Sequence, residues 1–139
     1  MAGSFELFEH TADIGVRARA GSLAELVGPC VEGLYAVIGK LRTTGDGAAR
    51  MMTFEGEDAA MLLRDYLAEL LRLFETDHVR AVDVMVEGFT EQQLTVRTHL
   101  SRVDMVESEF EREVKAVTYH ELAVCAAERG YEATYIVDI

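Results

Sequence analysis

Residues 58–75 impose the strongest constraint on how this chain can fold. Leu63, Leu67, Leu70 and Phe74 recur at helical spacing, with Arg64, Asp65, Glu69 and Arg72 lying opposite them. The segment therefore predicts an amphipathic helix that needs an apolar surface beneath it. Its stripe reads as core, not as a cofactor box. Beyond this helix the pattern alternates instead. Residues 79–87 and 93–101 read as a hairpin joined around Gly88, and residues 122–127 and 131–138 as a closing hairpin turning at Glu128-Arg129-Gly130. Between them, residues 104–112 read as an acidic loop and 114–118 as extended chain or a single turn.

The half before the helix is mixed. Residues 4–9 and 15–20 predict two short strands, the second alternating through Val16-Arg17-Ala18-Arg19-Ala20, with the 11–13 segment connecting them or closing the first. Ser22 with Glu25 three residues on is a capping-box pattern. Leu23, Val27, Cys30, Leu34 and Val37 then share one helical face, with Gly39 as the stop. Gly28-Pro29 falls inside this pattern, and proline there removes a donor, so a kink or two segments is expected. Residues 40–48 read as a loop and 50–56 as a strand. There is no internal repeat and no linker. The expectation is α+β, one domain over residues 1–139, with a mixed, mostly antiparallel sheet packed with two main helices.

Thirteen Lys and Arg are scattered among twenty-five Asp and Glu, giving a formal charge of −12. A nucleic-acid binder shows a basic patch that neutralises phosphates, and no run of three cations exists here. Tight direct RNA or DNA binding is disfavoured, and a basic protein partner or a cation fits better. Cys30 and Cys125 each sit in an apolar stretch, and two reduced, buried thiols are expected over a disulfide. No secretory signal and no membrane-length apolar run is visible, which predicts a soluble protein of the cytoplasm.

Two short segments could carry chemistry. Asp13 stands in Phe8-Glu9-His10-Thr11-Ala12-Asp13-Ile14-Gly15, and Asp138 in the closing Ile136-Val137-Asp138-Ile139. Each acid sits among apolar neighbours, where an unpaired charge is costly and is usually paired, hydrogen-bonded or metal-bound. If the fold joins the two ends, oxygen ligands including the carboxylate of Ile139 gather around the His10 imidazole. A metal site or a polar catalytic pocket would both have that shape. Taken singly, the plainer readings win: Asp13 caps a turn, and Asp138 is a solvated acid sharing its strand face with Glu132, Thr134 and Ile136. His10 and His120, beside Glu9 and Glu121, read first as structural histidines. Lys115, in a mostly apolar and β-branched stretch, is either an outward charge or a partner for a carboxylate or phosphate. No nucleophile–base pair, zinc spacing, EF-hand loop or phosphate loop is present.

These same stretches resemble the archease family: residues 9–15, Gly56-Glu57-Asp58 with the helix reaching Leu73-Phe74-Glu75, then 113–120 (Glu113-Val114-Lys115-Ala116-Val117-Thr118-Tyr119-His120) and the last four residues. They occur in the family's order and span essentially the whole chain. Two features depart from it, Gly28-Pro29 in the first helix and the acidity of residues 104–112. The resemblance implies an activator without a reaction of its own. Its partner would be the RtcB-type tRNA-splicing ligase, which uses GTP and a divalent metal to guanylylate its active-site histidine. It also implies that Asp13 and Asp138 are metal-site acids, for Ca²⁺ or Mg²⁺/Mn²⁺, with Lys115 a third functional position. His10 and the Ile139 carboxylate are added from sequence proximity. Two competing readings remain: a chaperone or specificity modulator of another RNA-processing enzyme such as a tRNA methyltransferase, and a metal-dependent hydrolase using Asp13 and His10.

Overall fold

The structure, a computed structural model, describes residues 3–10 and 12–139, with the backbone alone of His10. Strand β1 (Ser4–His10) forms an antiparallel hairpin with β2 (Asp13–Ala20). Alternation in β2 sends Ile14, Val16, Ala18 and Ala20 into the core, while Arg19 on the other face stays exposed. The C-terminal strand β10 (Gly130–Asp138) pairs with the free side of β2, from Tyr131 opposite Ala20 to Asp138 opposite Asp13. Its far edge is shared by β8 (Ala116–Val117) and β9 (Ala123–Ala127). The sheet order is β1-β2-β10-β8, with β9 also on β10. The end of the chain thus lies beside its beginning, and the expected closing hairpin forms between β9 and β10.

The capping box operates as the sequence implies. The Glu25 amide donates to Ser22 Oγ at 3.1 Å, and that hydroxyl donates to Glu25 Oε1 at 3.0 Å. A 3-10 turn at Ala24–Leu26 leads into helix α1 (Val27–Ile38). This is the two-segment outcome expected of Gly28-Pro29. Pro29 falls in the first turn of α1, where an amide has no partner within the helix to lose. Val27, Cys30, Leu34 and Val37 are all buried. Helix α2 (Ala59–Asp77) starts where Asp58 accepts from the Ala60 amide at 2.8 Å, while Glu91 Oε2 takes the Ala59 amide at 3.0 Å. It ends at His78, in the left-handed conformation with φ 54°.

A second sheet has the order β4-β6-β5, from β4 (Thr43–Glu55), β5 (Val79–Phe89) and β6 (Gln93–Val103). Two expectations are corrected here. The 40–48 loop is largely strand: β4 runs from Thr43, with a register shift between Thr43 and Gly47. A Cβ on Gly47 would stand 2.0 Å from the Leu100 carbonyl oxygen, so this glycine serves close backbone approach and not a turn. Gly88 lies within β5 at a register irregularity, and the chain reverses at residues 90–92. There Thr90 Oγ1 accepts from the Gln92 and Gln93 amides. The described strand pairings are all antiparallel.

The acidic 104–112 segment is also more ordered than a loop. Its Glu109–Phe110 stretch, β7, pairs with β3 (Gly39–Lys40), which follows α1 directly. Gly39 has φ 153°, and a Cβ there would meet the Glu109 carbonyl oxygen at 2.0 Å. Gly39→Ala is therefore expected to cost about 2 kcal/mol, as strained backbone plus a lost pairing. Urea unfolding followed by circular dichroism would read this as a lower midpoint at unchanged slope; an unchanged midpoint would mean the β3–β7 pair adds nothing to stability.

Both helices and both larger sheets enclose one buried cluster, in which the α2 stripe of Leu63, Leu67 and Leu70 is completely or almost completely buried. Three core tyrosines keep their hydroxyls satisfied: Tyr135 donates to the Cys30 carbonyl at 2.7 Å, Tyr35 accepts from the Ala81 amide at 2.9 Å, and Tyr66 bonds Thr98 at 2.7 Å. Cys30 is buried, and burial pushes its thiol up to about 12. Cys125 is reduced but exposed on β9, because that strand covers an edge of β10 instead of entering the core. The expectation of two buried thiols holds for Cys30 alone.

Candidate acidic site at the end of the first sheet

The turn joining β1 and β2 leaves only residues 11 and 12 between the paired residues His10 and Asp13. Two-residue hairpin loops call for left-handed backbone, and Ala12 supplies it at φ 68°. An alanine so placed carries a cost of order 1 kcal/mol. Its side chain is exposed, so nothing among the described residues repays the strain. Ala12→Gly is expected to raise stability by about 0.5–1 kcal/mol. Thermal unfolding checks this, and a lower midpoint would mean that the methyl group makes a needed contact.

The pairing register then builds a row across the sheet. His10 stands opposite Asp13, Asp13 opposite Asp138, and Asp138 opposite Ala116. Directly opposed, Asp13 and Asp138 share a face, with Cβ atoms about 4.5–5.5 Å apart. Their neighbours Ile14 and Val137, opposed one step along, are buried on the core face, so the two aspartates lie on the outer face. Asp13 is half-buried and Asp138 exposed. Among the described residues neither carboxylate has a hydrogen bond or ion pair.

Further along the outer face the charges are already matched. Arg17 reaches Glu6 at 3.1 Å and Arg19 reaches Glu132 at 2.8 Å, with the crossed pairs at 3.5 and 4.0 Å. Arg17 also lies over the Phe8 ring, 4.6 Å from its centroid. Between this network and the aspartates sits Gly15, where a Cβ would fall within 2.5 Å of three Phe8 ring atoms. Phe8 thus lies flat over the strand, separating the neutralised patch from the pair of acids. The network escaped the sequence reading, although the Arg17–Arg19 alternation and Glu132 on the face of Asp138 were its signals.

Lys115 comes close to the row through its backbone: its amide donates to the Asp138 carbonyl at 2.7 Å. Its side chain is exposed and unpaired among the described residues. On strict alternation Ala116, not Lys115, shares the face of Asp138, so an ammonium there reaches the acids only around the sheet end. Ile139 is half-buried and packs against the core. The side chain of His10 lies outside the described residues. His120 is exposed on the β8–β9 connection, 3.8 Å from Glu121, and is not part of the row. Asp138 does share its face with Glu132, Thr134 and Ile136, as alternation predicts.

Among the described residues no three His, Cys, Asp or Glu side chains converge as a metal cage. They supply a facing pair of carboxylates, a donor set suited to a hard, oxygen-preferring cation and open to further ligands. No helix is long and apolar enough to cross a membrane.

Comparison with known proteins gives a consistent result. The model of the archease protein family (MTH1598/TM1083) matches residues 5–139. Protein archease of Methanosarcina barkeri is 30% identical, covering 97% of this chain and 95% of its own length. That of Thermococcus gammatolerans is 34% identical, over 97% of this chain and 98% of its own. The solution structure of Methanobacterium thermoautotrophicum protein 1598 superposes with a TM-score of 0.73 at 27% identity, covering 98% of this chain and 99% of that one. The fold also matches the Thermotoga maritima crystal structure described as an archease and possible chaperone, with a TM-score of 0.71 at 20% identity, over 95% and 94% of the two chains. With the family model matched over nearly the whole chain, this protein belongs to the archease family.

Proposed function

We propose that this chain is a protein cofactor of the GTP-dependent RtcB-type tRNA-splicing RNA ligase, promoting its guanylylation and multiple turnover through the outer-face acids, with no reaction of its own. The observation that carries the reading is the register of β2 and β10, which sets Asp13 directly opposite Asp138, neither acid having a partner among the described residues. Family membership favours the ligase as the partner. The scarcity of cations, thirteen against twenty-five acids, favours contact with an enzyme over contact with RNA.

A divalent cation, Ca²⁺ or Mg²⁺/Mn²⁺, would be held by Asp13 and Asp138, with His10 and Ile139 adjoining. When bound it supplies positive charge that relieves the facing carboxylates and Lewis acidity toward phosphate oxygens. The protein's own part is positional. The β2–β10 ladder holds the two carboxylates on one face, Ile14 and Val137 anchor them from the core side, and the Lys115 amide ties β8 to the Asp138 carbonyl. With two side-chain carboxylates facing each other among the described residues, the site leaves room for groups of the ligase. Multiple-turnover ligation with GTP and Mn²⁺, run without addition, with this protein and with Asp13→Ala, tests the reading. Equal rates in all three would remove it. A second reading, chaperone or specificity modulator of another RNA-processing enzyme, draws on the possible-chaperone description of the Thermotoga structure. It predicts partner binding that survives loss of both aspartates.

A further inference from the structure

The 104–114 segment forms one wall of a groove of about 550 Å³ whose other wall is the end of α2. Phe74 and Phe110 pack against each other in its wall, ring centroids 6.4 Å apart and planes at 49°, and Met105 and the buried Ile38 and Val114 complete the apolar lining. Phe110 is 45% exposed and Met105 42%, values that side chains of this size reach only when nothing covers them. The wall is firm. Glu111 and Arg112 amides bond the Ile38 carbonyl, Ser108 Oγ accepts from the Arg42 amide at 2.8 Å, and β7 pairs with β3.

The charge lining this apolar strip is mostly negative. Glu75, Glu111 and Glu113 line it and are exposed, while Glu109, just outside, stands opposite Lys40 in the β3–β7 pair. The lining cation, Arg112, donates to the Val37 carbonyl at 3.1 Å and lies 3.7 Å from Glu111. An apolar slot rimmed by acids suits a protein segment that carries an aromatic or aliphatic anchor flanked by Lys and Arg; polyanionic RNA would be repelled. Position ties the groove to the acidic pair. Helix α1 runs back along the core face of β2, with Gly33 against Val16, so that Ile38 lies toward the Asp13 end, beneath the sheet whose outer face carries the acids. Val114 precedes Lys115, whose amide bonds Asp138.

We infer that the groove beside the Phe74–Phe110 pair receives a basic amphipathic segment of the protein partner, whose active centre meets the aspartates around the end of the sheet. The inference rests on the ligase reading above. The test uses the full chain and the purified cognate ligase, titrating Phe110→Ala and, separately, Glu111→Lys with Glu113→Lys. All three positions are surface-exposed, so these variants should stay folded, with Phe110→Ala melting lower by the loss of its contact with Phe74.

Loss of a docking anchor raises the concentration for half-maximal activation by about tenfold or more, and saturating variant still restores turnover. The charge-reversed protein also loses the salt sensitivity of half-saturation. An unchanged half-saturation with full activation by the unmodified protein overturns the groove and leaves the ligase reading standing. No activation by the unmodified protein removes the ligase reading, and this partner for the groove with it. If sedimentation shows an unmodified dimer that Phe110→Ala turns into a monomer, the groove is a self-interface and the inference is wrong.

Discussion

Asp13→Ala is expected to yield a folded protein that no longer raises multiple turnover of an RtcB-type ligase, with Asp138→Ala behaving alike. Neither side chain is in the core, and neither carries a described hydrogen bond or ion pair, so truncation leaves no orphaned partner behind among the described residues. Stability should change by less than about 1 kcal/mol, and in the favourable direction, because two facing carboxylates repel. Activity should fall at least about tenfold toward the rate of the ligase alone, at every concentration of the variant. Adding Asp138→Ala to Asp13→Ala should cost little more, since groups that act as a unit are not additive. Asp13→Asn separates charge from shape: it keeps size and polarity, and should be as inactive as alanine. Full activation by both alanine variants would make these acids ordinary turn and edge residues, as local sequence alone suggests.

That contrast between local sequence and fold runs through the whole chain. Elements with a self-contained signal were readable: the α2 stripe, the Ser22–Glu25 cap and the 122–138 hairpin each depend on residues a few positions apart. The 40–48 stretch was not, because Gly45-Asp46-Gly47 carries turn chemistry while its strand character comes from pairing with β6, far along the chain. Gly88 misled for the same reason in reverse. The site is the extreme case. Asp13 and Asp138 are uninformative singly, and only the placing of β10 against β2 makes them neighbours. Periodicity cannot foresee strand order, so family resemblance supplied what local pattern lacked. The groove was hidden more deeply still: Phe74 read as one more core residue, and residues 104–112 as an acidic loop.

Divalent cation is expected to raise the thermal midpoint of this protein by several degrees, and Asp13→Ala to abolish the rise. Two like charges on one face cost energy that a shared cation removes, so an ion that binds the folded pair stabilises the fold by mass action. At one hundred times its dissociation constant a ligand contributes about 2.7 kcal/mol. For a domain of this length 1 kcal/mol moves the midpoint by about 2–4 °C, so the rise should be about 5–10 °C. The comparison is calorimetry in chelator against Ca²⁺, Mg²⁺ and Mn²⁺ in turn, which ranks the ions without any ligase present. The sign matters as much as the size. In chelator Asp13→Ala should melt no lower than the unmodified protein, since it relieves the repulsion, whereas in saturating cation it should melt clearly lower. Equal midpoints for the unmodified protein in chelator and in all three cations would mean that the carboxylate pair alone does not hold an ion. Activation that persists under that result would require the ligase itself to complete the site.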